Sequence, residues 1–169
     1  MKIKQLAWPW LFVSASIVFL DQLSKSVIAH TVSDQGSMSI LPFLNIILSV
    51  NSGASFGFLD HASGWQIIVL SLISVVISVI LIRWLMRIPK DEWQVALPVS
   101  FVLGGALGNL IDRLHYGFVI DFIDFHLGEW HFATFNVADS AICVGALWLI
   151  MGICYESFTR KSKRFLRRR

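Results

Sequence analysis

Four long apolar stretches, each nearly or wholly free of charge, limit how this chain can fold. A helix needs about 20 mostly apolar residues to cross the roughly 30 Å hydrocarbon core of a bilayer. The composition agrees, because 56% of the residues are hydrophobic and only 15% are charged, which is far from a soluble domain. We therefore predict an all-α polytopic membrane protein, a single domain over residues 1–169. Its four transmembrane helices are predicted at about 8–29, 65–82, 93–113 and 137–155.

The basic residues predict how these spans are oriented. Lys and Arg stand before the first span, in the link between the second and third, and in the last ten residues, which hold seven of them. Under the positive-inside rule, both termini and that link are cytoplasmic, and segments 30–64 and 114–136 face outward. The basic tail is expected to touch anionic lipid headgroups and not nucleic acid. The first span is expected to be retained, because Asp21 and Lys25 interrupt the region where a signal peptide would be cleaved.

The two outward segments predict a small extracytoplasmic β-sheet. Phe43–Val50 is apolar and β-branched, and Asn51-Ser52-Gly53 follows it as a turn signal. We expect this strand to pair with the aromatic part of His126–Phe135. The apolar run Ala54–Leu59 is predicted to lie along the membrane surface.

Polar side chains at membrane depth need a physical reason, because a charge at the centre of a spanning helix costs at least about 2.5 kcal/mol. With the orientation above, all of these side chains gather at the outer ends of the helices. Structural roles explain several of them taken singly. The full set of polar side chains at these helix ends is Asp21, Lys25, Asn109, Asp112, Arg113, Asn136 and Asp139.

Those structural roles follow from spacing. Asp21 and Lys25 are four residues apart, which is the spacing of a helical ion pair. Asn136 suits the N-cap of the fourth helix, and Asp139 in its first turn favours the positive end of the helix dipole. Gly104 and Gly108 have the small-xxx-small spacing of closely packed membrane helices.

Asp121 and Asp139 together suggest catalysis. Asp121 lies in an apolar segment, where a solvated loop acid has little reason to be. Two carboxylates about 4 Å apart repel by roughly 4 kcal/mol at an effective dielectric near 20, which keeps one of them protonated near neutral pH. Such a pair can activate water against an amide. Spacing alone does not exclude Asp124 as the partner.

Other chemistries fit the sequence less well. His115, His126 and His131, with Asp121 and Asp124, offer ligands for a metal, but their spacing matches no helical zinc motif. A small transporter or proton-coupled channel is the main alternative, with the acids as a proton relay. A purely structural membrane subunit, with the acids as helix caps, is a third.

Five ordered motifs resemble the lipoprotein signal peptidase family, also called signal peptidase II, over nearly the whole chain. They are Asp21-Gln22-Leu23-Ser24-Lys25, Asn51-Ser52-Gly53-Ala54-Ser55-Phe56, Gly104 to Arg113, Val119-Ile120-Asp121-Phe122 and Phe135-Asn136-Val137-Ala138-Asp139-Ser140. One departure is Ser55, where the family more often has alanine.

The resemblance implies a bacterial membrane aspartyl protease with Asp121 and Asp139 as its catalytic dyad, which decides against Asp124. The implied substrate is a prolipoprotein whose lipobox cysteine carries diacylglycerol, cut on the amino side of that cysteine at the outer leaflet of the inner membrane. Globomycin is the implied inhibitor, and neither a metal nor an organic cofactor is implied. Asn51, Gly53, Asn109, Arg113 and Asn136 match substrate-binding positions. Asp21, Lys25 and Asp112 are expected to support the site structurally.

Overall fold

The computed structural model describes residues 8–32, 36–53, 64–89 and 91–166, with side chains described up to residue 158. Within these residues four helices are long and apolar enough to cross a membrane, as predicted. The helices are α1 (Trp8–Thr31), α2 (Trp65–Leu85), α3 (Trp93–Tyr116) and α4 (Val137–Leu166). The predicted membrane-surface segment Ala54–Leu59 lies outside the described residues.

Each helix begins where its apolar stretch begins and continues past the predicted end. Tryptophans are the first residues of α1, α2 and α3, where an indole suits the membrane interface. The apolar part of α4 ends at Phe158, and the helix continues through the basic tail to Leu166. The extra turns carry polar or charged residues, which a helix accommodates once it leaves the hydrocarbon.

A four-stranded antiparallel sheet forms at one end of the helices. Its strands stand in the order β1 (Ser37–Leu41), β2 (Leu44–Asn51), β3 (Val119–Leu127) and β4 (Trp130–His131). β1 and β2 follow the carboxyl end of α1, and β3 follows that of α3. The sheet therefore lies at the end of the helices where α2 and α4 begin.

The predicted partner of the first strand was wrong. β2 pairs with β3, with Leu44 opposite Phe125 and Asn51 opposite Val119, while the aromatic segment forms β4 on the other edge of β3. Gly117 ends α3 at a positive φ of 79° and turns the chain directly into β3. β3 therefore pairs directly with β2, and the aromatic segment follows on the far side of β3. β3 was hard to recognise from the sequence because its first four residues are all buried. This removes the alternation of apolar and polar residues that is typical of a half-exposed strand.

α3 is the central helix, and glycines let its neighbours approach closely. A Cβ at Gly104 would lie 2.8 Å from the Ser14 carbonyl oxygen of α1, and one at Gly108 would lie 2.7 Å from Asp21 Oδ2. The small-xxx-small prediction for these two glycines is confirmed. At the opposite end from the sheet, α2 and α3 share an apolar core. It contains Leu81, Leu85, Ala96, Val99 and Leu103.

We expect Gly145→Ala to destabilise the protein by about 1–3 kcal/mol, because overpacking a tight contact strains both helices. The added Cβ would lie 2.6 Å from the Pro98 carbonyl oxygen of α3. Gly152→Ala on the same helix is the control, since its Cβ would meet nothing within 4 Å and alanine favours a helix. Thermal unfolding in detergent measures both, and equal melting temperatures would contradict the packing argument.

Candidate active site

A buried ion network of α1 and α3 forms the base of the site. The Lys25 ammonium lies 2.8 Å from Asp21 Oδ2 and 2.8 Å from Asp112 Oδ2, and all three side chains are buried. The predicted pair at helical spacing is therefore confirmed, with Asp112 as a second carboxylate partner. The Gln22 amide donates to Asp112 Oδ1 at 2.7 Å. Such a network is costly to break, because a buried charge would lose its partner.

The same two carboxylates hold the backbone beside each acid of the predicted dyad. Asp21 Oδ1 accepts a hydrogen bond from the backbone N–H of Ala138 at 2.9 Å, in the first turn of α4. Asp112 Oδ2 accepts one from the N–H of Ile120 at 3.1 Å, in β3. Ala138 immediately precedes Asp139, and Ile120 immediately precedes Asp121. The ion network thereby fixes where both acids enter the site.

Asn136 caps α4 and links the two acids. Its Oδ1 accepts the N–H of Asp139 at 2.8 Å, as the sequence predicted for an N-cap. Its Nδ2 donates to Asp121 Oδ1 at 2.7 Å. Because the helix N–H fixes the oxygen of the amide, its nitrogen must face Asp121. One fully buried side chain therefore binds both the Asp121 carboxylate and the backbone of Asp139.

Asn109 is oriented in the same way by Lys25. The ammonium, which can only donate, lies 3.2 Å from Asn109 Oδ1, so the Asn109 Nδ2 points the other way and donates to Asp139 Oδ1 at 2.7 Å. Asn109 Oδ1 also accepts from Asn136 Nδ2 at 3.1 Å. A continuous chain of hydrogen bonds thus joins the ion network to both members of the pair.

Asp121 has a titration range suited to acid–base chemistry. Its pKa is raised to about 6, because burial and the nearby Asp139 raise it by more than the hydrogen bonds from Asn51 and Asn136 and the charge of Lys25 lower it. Asn51 Nδ2 donates to Asp121 Oδ2 at 3.0 Å. Asp121 therefore exchanges a proton near neutral pH.

Arg113 and Gly53 complete the site at the edge nearest α2. The Arg113 guanidinium lies 3.4 Å from the carbonyl oxygens of Gly53 and Asn109, and the Gly53 N–H donates to Asn51 Oδ1 at 3.1 Å. All ten residues predicted for the site from the sequence are thus joined by hydrogen bonds or ion pairs.

An apolar groove of about 370 Å³ begins beside Arg113 and follows α2 toward the membrane interior. Its other lining residues come from α2 and the end of α3, and they are Ile67, Ile68, Ser71, Leu72, Val75 and Leu114. A groove of this character suits a hydrocarbon chain better than a polar ligand.

Asp124 belongs to a separate cluster on the sheet. It contacts Asn45 and His131 and not the chain of residues described above. Sequence reasoning missed Gln22, Asn45 and His131 as partners of acids, because only their position in the fold brings them there. In the part of the chain that the structure describes, no group of three or more His, Cys, Asp or Glu is arranged to hold a metal ion.

Comparison with known proteins gives a consistent result. Residues 13–155 match the family described as signal peptidase (SPase) II. The lipoprotein signal peptidase of Coxiella burnetii (strain Dugway 5J108-111) is 53% identical over 157 residues, which cover 93% of this chain and 94% of that protein. The lipoprotein signal peptidase of Shewanella loihica (strain ATCC BAA-1088 / PV-4) is 47% identical over 159 residues, covering 94% and 89%.

A solved bacterial membrane enzyme has the same fold. It superposes with a TM-score of 0.77 and 30% sequence identity, over 88% of this chain and 89% of its own.

The raised pKa of Asp121 predicts a pH-dependent loss of stability. Its folded-state pKa of about 6 lies above the usual aspartate value of 3.8, so the folded state binds the proton more tightly than the unfolded state does. The free energy of unfolding should fall by about 3 kcal/mol as pH rises from below 4 to above 6. Asp121→Asn removes this contribution, so the free energy of unfolding of the variant should increase relative to that of the parent as pH rises across that range. Chemical unfolding in detergent at each pH measures the difference, and a constant difference would contradict the assignment.

Proposed function

Because the chain belongs to the signal peptidase II family, whose members remove signal peptides from lipoproteins, we propose that it is a membrane aspartyl endopeptidase. Its proposed substrates are diacylglyceryl-modified prolipoproteins, cut on the amino side of the lipidated cysteine. The observation that carries this proposal is the pair of acids, the buried Asp121 and the half-buried Asp139, bridged by the Asn136 side chain. Coupled carboxylates that share one proton are the group that water activation against an amide requires.

The proposed reaction uses both protonation states of the pair. The ionised carboxylate takes a proton from water while the water oxygen forms a bond to the scissile carbonyl carbon. The protonated partner donates its proton to the carbonyl oxygen. When the tetrahedral intermediate collapses, one of its hydroxyls gives a proton back to the pair as the carbonyl re-forms, the C–N bond breaks, and the leaving nitrogen receives a proton from the pair, which is left with one proton as at the start. Because the acids titrate together, the shared proton belongs to both.

The surrounding polar groups are suited to hold the peptide during these steps. Asn51, Asn109 and Arg113 offer donors near the acids, and we assign them, with Gly53 and Asn136, to binding the substrate backbone and orienting the carboxylates. Asp21, Lys25 and Asp112 support the site through the contacts to Ala138 and Ile120.

The location of the site agrees with a lipid-anchored substrate. The chain is a multi-pass bacterial membrane protein, and the acids lie at the end of the helices that carries the sheet. From the basic residues we propose that both termini are cytoplasmic and that the acids face the outer leaflet of the cytoplasmic membrane. The scissile bond of a diacylglyceryl cysteine would lie at that depth.

The alternative functions explain the arrangement less well. A proton relay for transport would place acids toward the middle of the membrane, whereas these acids gather at one end. A purely structural subunit would account for the cap by Asn136 but gives no reason to bury Asp121 beside a second carboxylate.

We also propose that globomycin-type cyclic peptides inhibit the enzyme by occupying the dyad, and that the reaction uses no metal or organic cofactor.

Asp121→Asn and Asp139→Asn should each reduce cleavage of a diacylglyceryl-modified prolipoprotein by about a hundredfold or more, because each removes one member of an acid–base pair. The assay follows release of the signal peptide by gel shift with purified protein in detergent. Asp91→Asn, an exposed acid before α3, is the matched control and should cleave normally. Cleavage at the parent's rate by either folded dyad variant would contradict the dyad, and no cleavage by the parent would contradict the proposed function.

The activity should also fall as pH rises above about 6, where the pair of Asp121 and Asp139 loses its shared proton. Asn51→Ala should move this decline to higher pH, since the Asn51 hydrogen bond lowers the pKa of Asp121. Ser39→Ala in the exposed strand β1 serves as the control. The measurement is kcat/KM against pH, and an unmoved or lowered midpoint in Asn51→Ala would contradict this account.

A further inference from the structure

Asp124 is a buried acid with no role in the proposed reaction. Only 4% of its surface is exposed. Asn45 of β2 donates to its Oδ2 at 3.1 Å, and His131 Nδ1 of β4 lies 2.8 Å from its Oδ1. One carboxylate of β3 therefore joins the strands on both of its sides. Burial raises the pKa of Asp124, but the hydrogen bonds from His131 and Asn45 and the charges of His131 and His126 outweigh it and lower the pKa overall.

The ladder between β2 and β3 changes register between Asp124 and Asp121. Asn45 faces Asp124 and Ile46 faces Ile123, but Ser49 and not Leu48 faces Asp121. β2 therefore contains one residue more than β3 over this interval, which is a β-bulge. Asn51, the donor to Asp121 Oδ2, lies beyond the bulge.

The segment that returns from β4 to α4 contains an extra residue opposite the neighbouring part of β3, between His126 and Ile123. His131 faces His126, and continuing that register would place Thr134 opposite Ile123, but Phe135 occupies that position. Asn136, the donor to Asp121 Oδ1, follows Phe135 directly. Asn51 therefore lies beyond a change of register between Ile123 and Asp121, and Asn136 lies beyond one between His126 and Ile123.

A change of register of this kind needs contacts that fix the paired strands both before and after it. Slipping a strand by one residue turns its side chains to the opposite face, and here it would move an amide away from Asp121. On the side of the dyad, Asp112 holds Ile120. On the far side, the contacts of Asp124 with Asn45 and His131 hold the two neighbouring strands against β3.

We propose that Asp124 is a positioning residue for the reaction: with Asn45 and His131 it holds β2 and the return segment against β3, and so keeps Asn51 and Asn136 on Asp121. We name these three residues the Asp124 clasp. The proposal goes beyond the dyad and rests on the proposed function only for its effect on cleavage. Its effect on Asp121 is measurable without any substrate.

The first readout is the titration of Asp121 itself. Protein labelled with ¹³C at the aspartate carboxyls gives one NMR signal per residue, and Asp121→Asn assigns the signal of Asp121. Because Asn51 and Asn136 lower the pKa of Asp121, loosening them should move its titration midpoint to higher pH. Asp124→Ala removes the clasp, and Asp124→Asn keeps the shape and one carbonyl acceptor should the alanine variant fail to fold.

The second readout is cleavage of the lipidated precursor. In both Asp124 variants, kcat should fall about tenfold to a hundredfold, as expected for misplaced catalytic groups, with little change in KM. His131→Ala should lower kcat by part of this factor. The double variant Asp124→Ala with His131→Ala should have a kcat little lower than that of Asp124→Ala alone, because both substitutions remove the same contact. Glu129→Gln, an exposed acid in the same hairpin, is the control and should match the parent in both readouts.

The two readouts separate the possible failures. A lower kcat together with an Asp121 midpoint at higher pH supports the proposal. A lower kcat with an unmoved midpoint, or a moved midpoint with unchanged kcat, overturns it. If the parent itself does not cleave the precursor, the proposed function fails, and the Asp121 midpoint alone then decides whether the clasp holds the two amides.

Discussion

The site depends on one buried ammonium group. Lys25 neutralises part of the charge of Asp21 and Asp112, and those carboxylates in turn bind the backbone of α4 and β3 one residue before each acid of the dyad. Removing one partner of such a buried network typically costs 3–5 kcal/mol. The helical ion pair that the sequence suggested as merely structural therefore sets the geometry of the chemistry.

The charge balance of the site follows from the same arrangement. Asp21, Asp112, Asp121 and Asp139 bring four carboxylates together, and Lys25 and Arg113 bring only two positive charges. With every group ionised, two negative charges would remain uncompensated in a region of low dielectric, where such an excess is costly. Uptake of one proton removes one of them. This excess of negative charge favours uptake of a proton by the proposed dyad.

The sequence predicted most of what depends on local pattern. Apolar length identified the four spans, the four-residue spacing identified the pair of Asp21 and Lys25, and residue type identified the Asn136 cap. The family motifs then gathered the polar residues into one site. β3 and its pairing with β2 were missed, because burial on both faces hides a strand's period. The partners of Asp124 were missed because Asn45 and His131 meet it only once the register of three chain segments is known.

α2 has a consequence for how the enzyme meets its substrate. Its buried residues lie along the face toward α3, while most of its remaining surface is exposed and apolar. In a bilayer that surface contacts lipid, and the groove beside Arg113 lies along the same helix. The lipid-anchored precursor that we propose as substrate would therefore arrive by lateral diffusion within the leaflet, without passing through water. Encounter is then a two-dimensional process, and its rate is set by the mole fraction of precursor among the lipids and not by its bulk concentration.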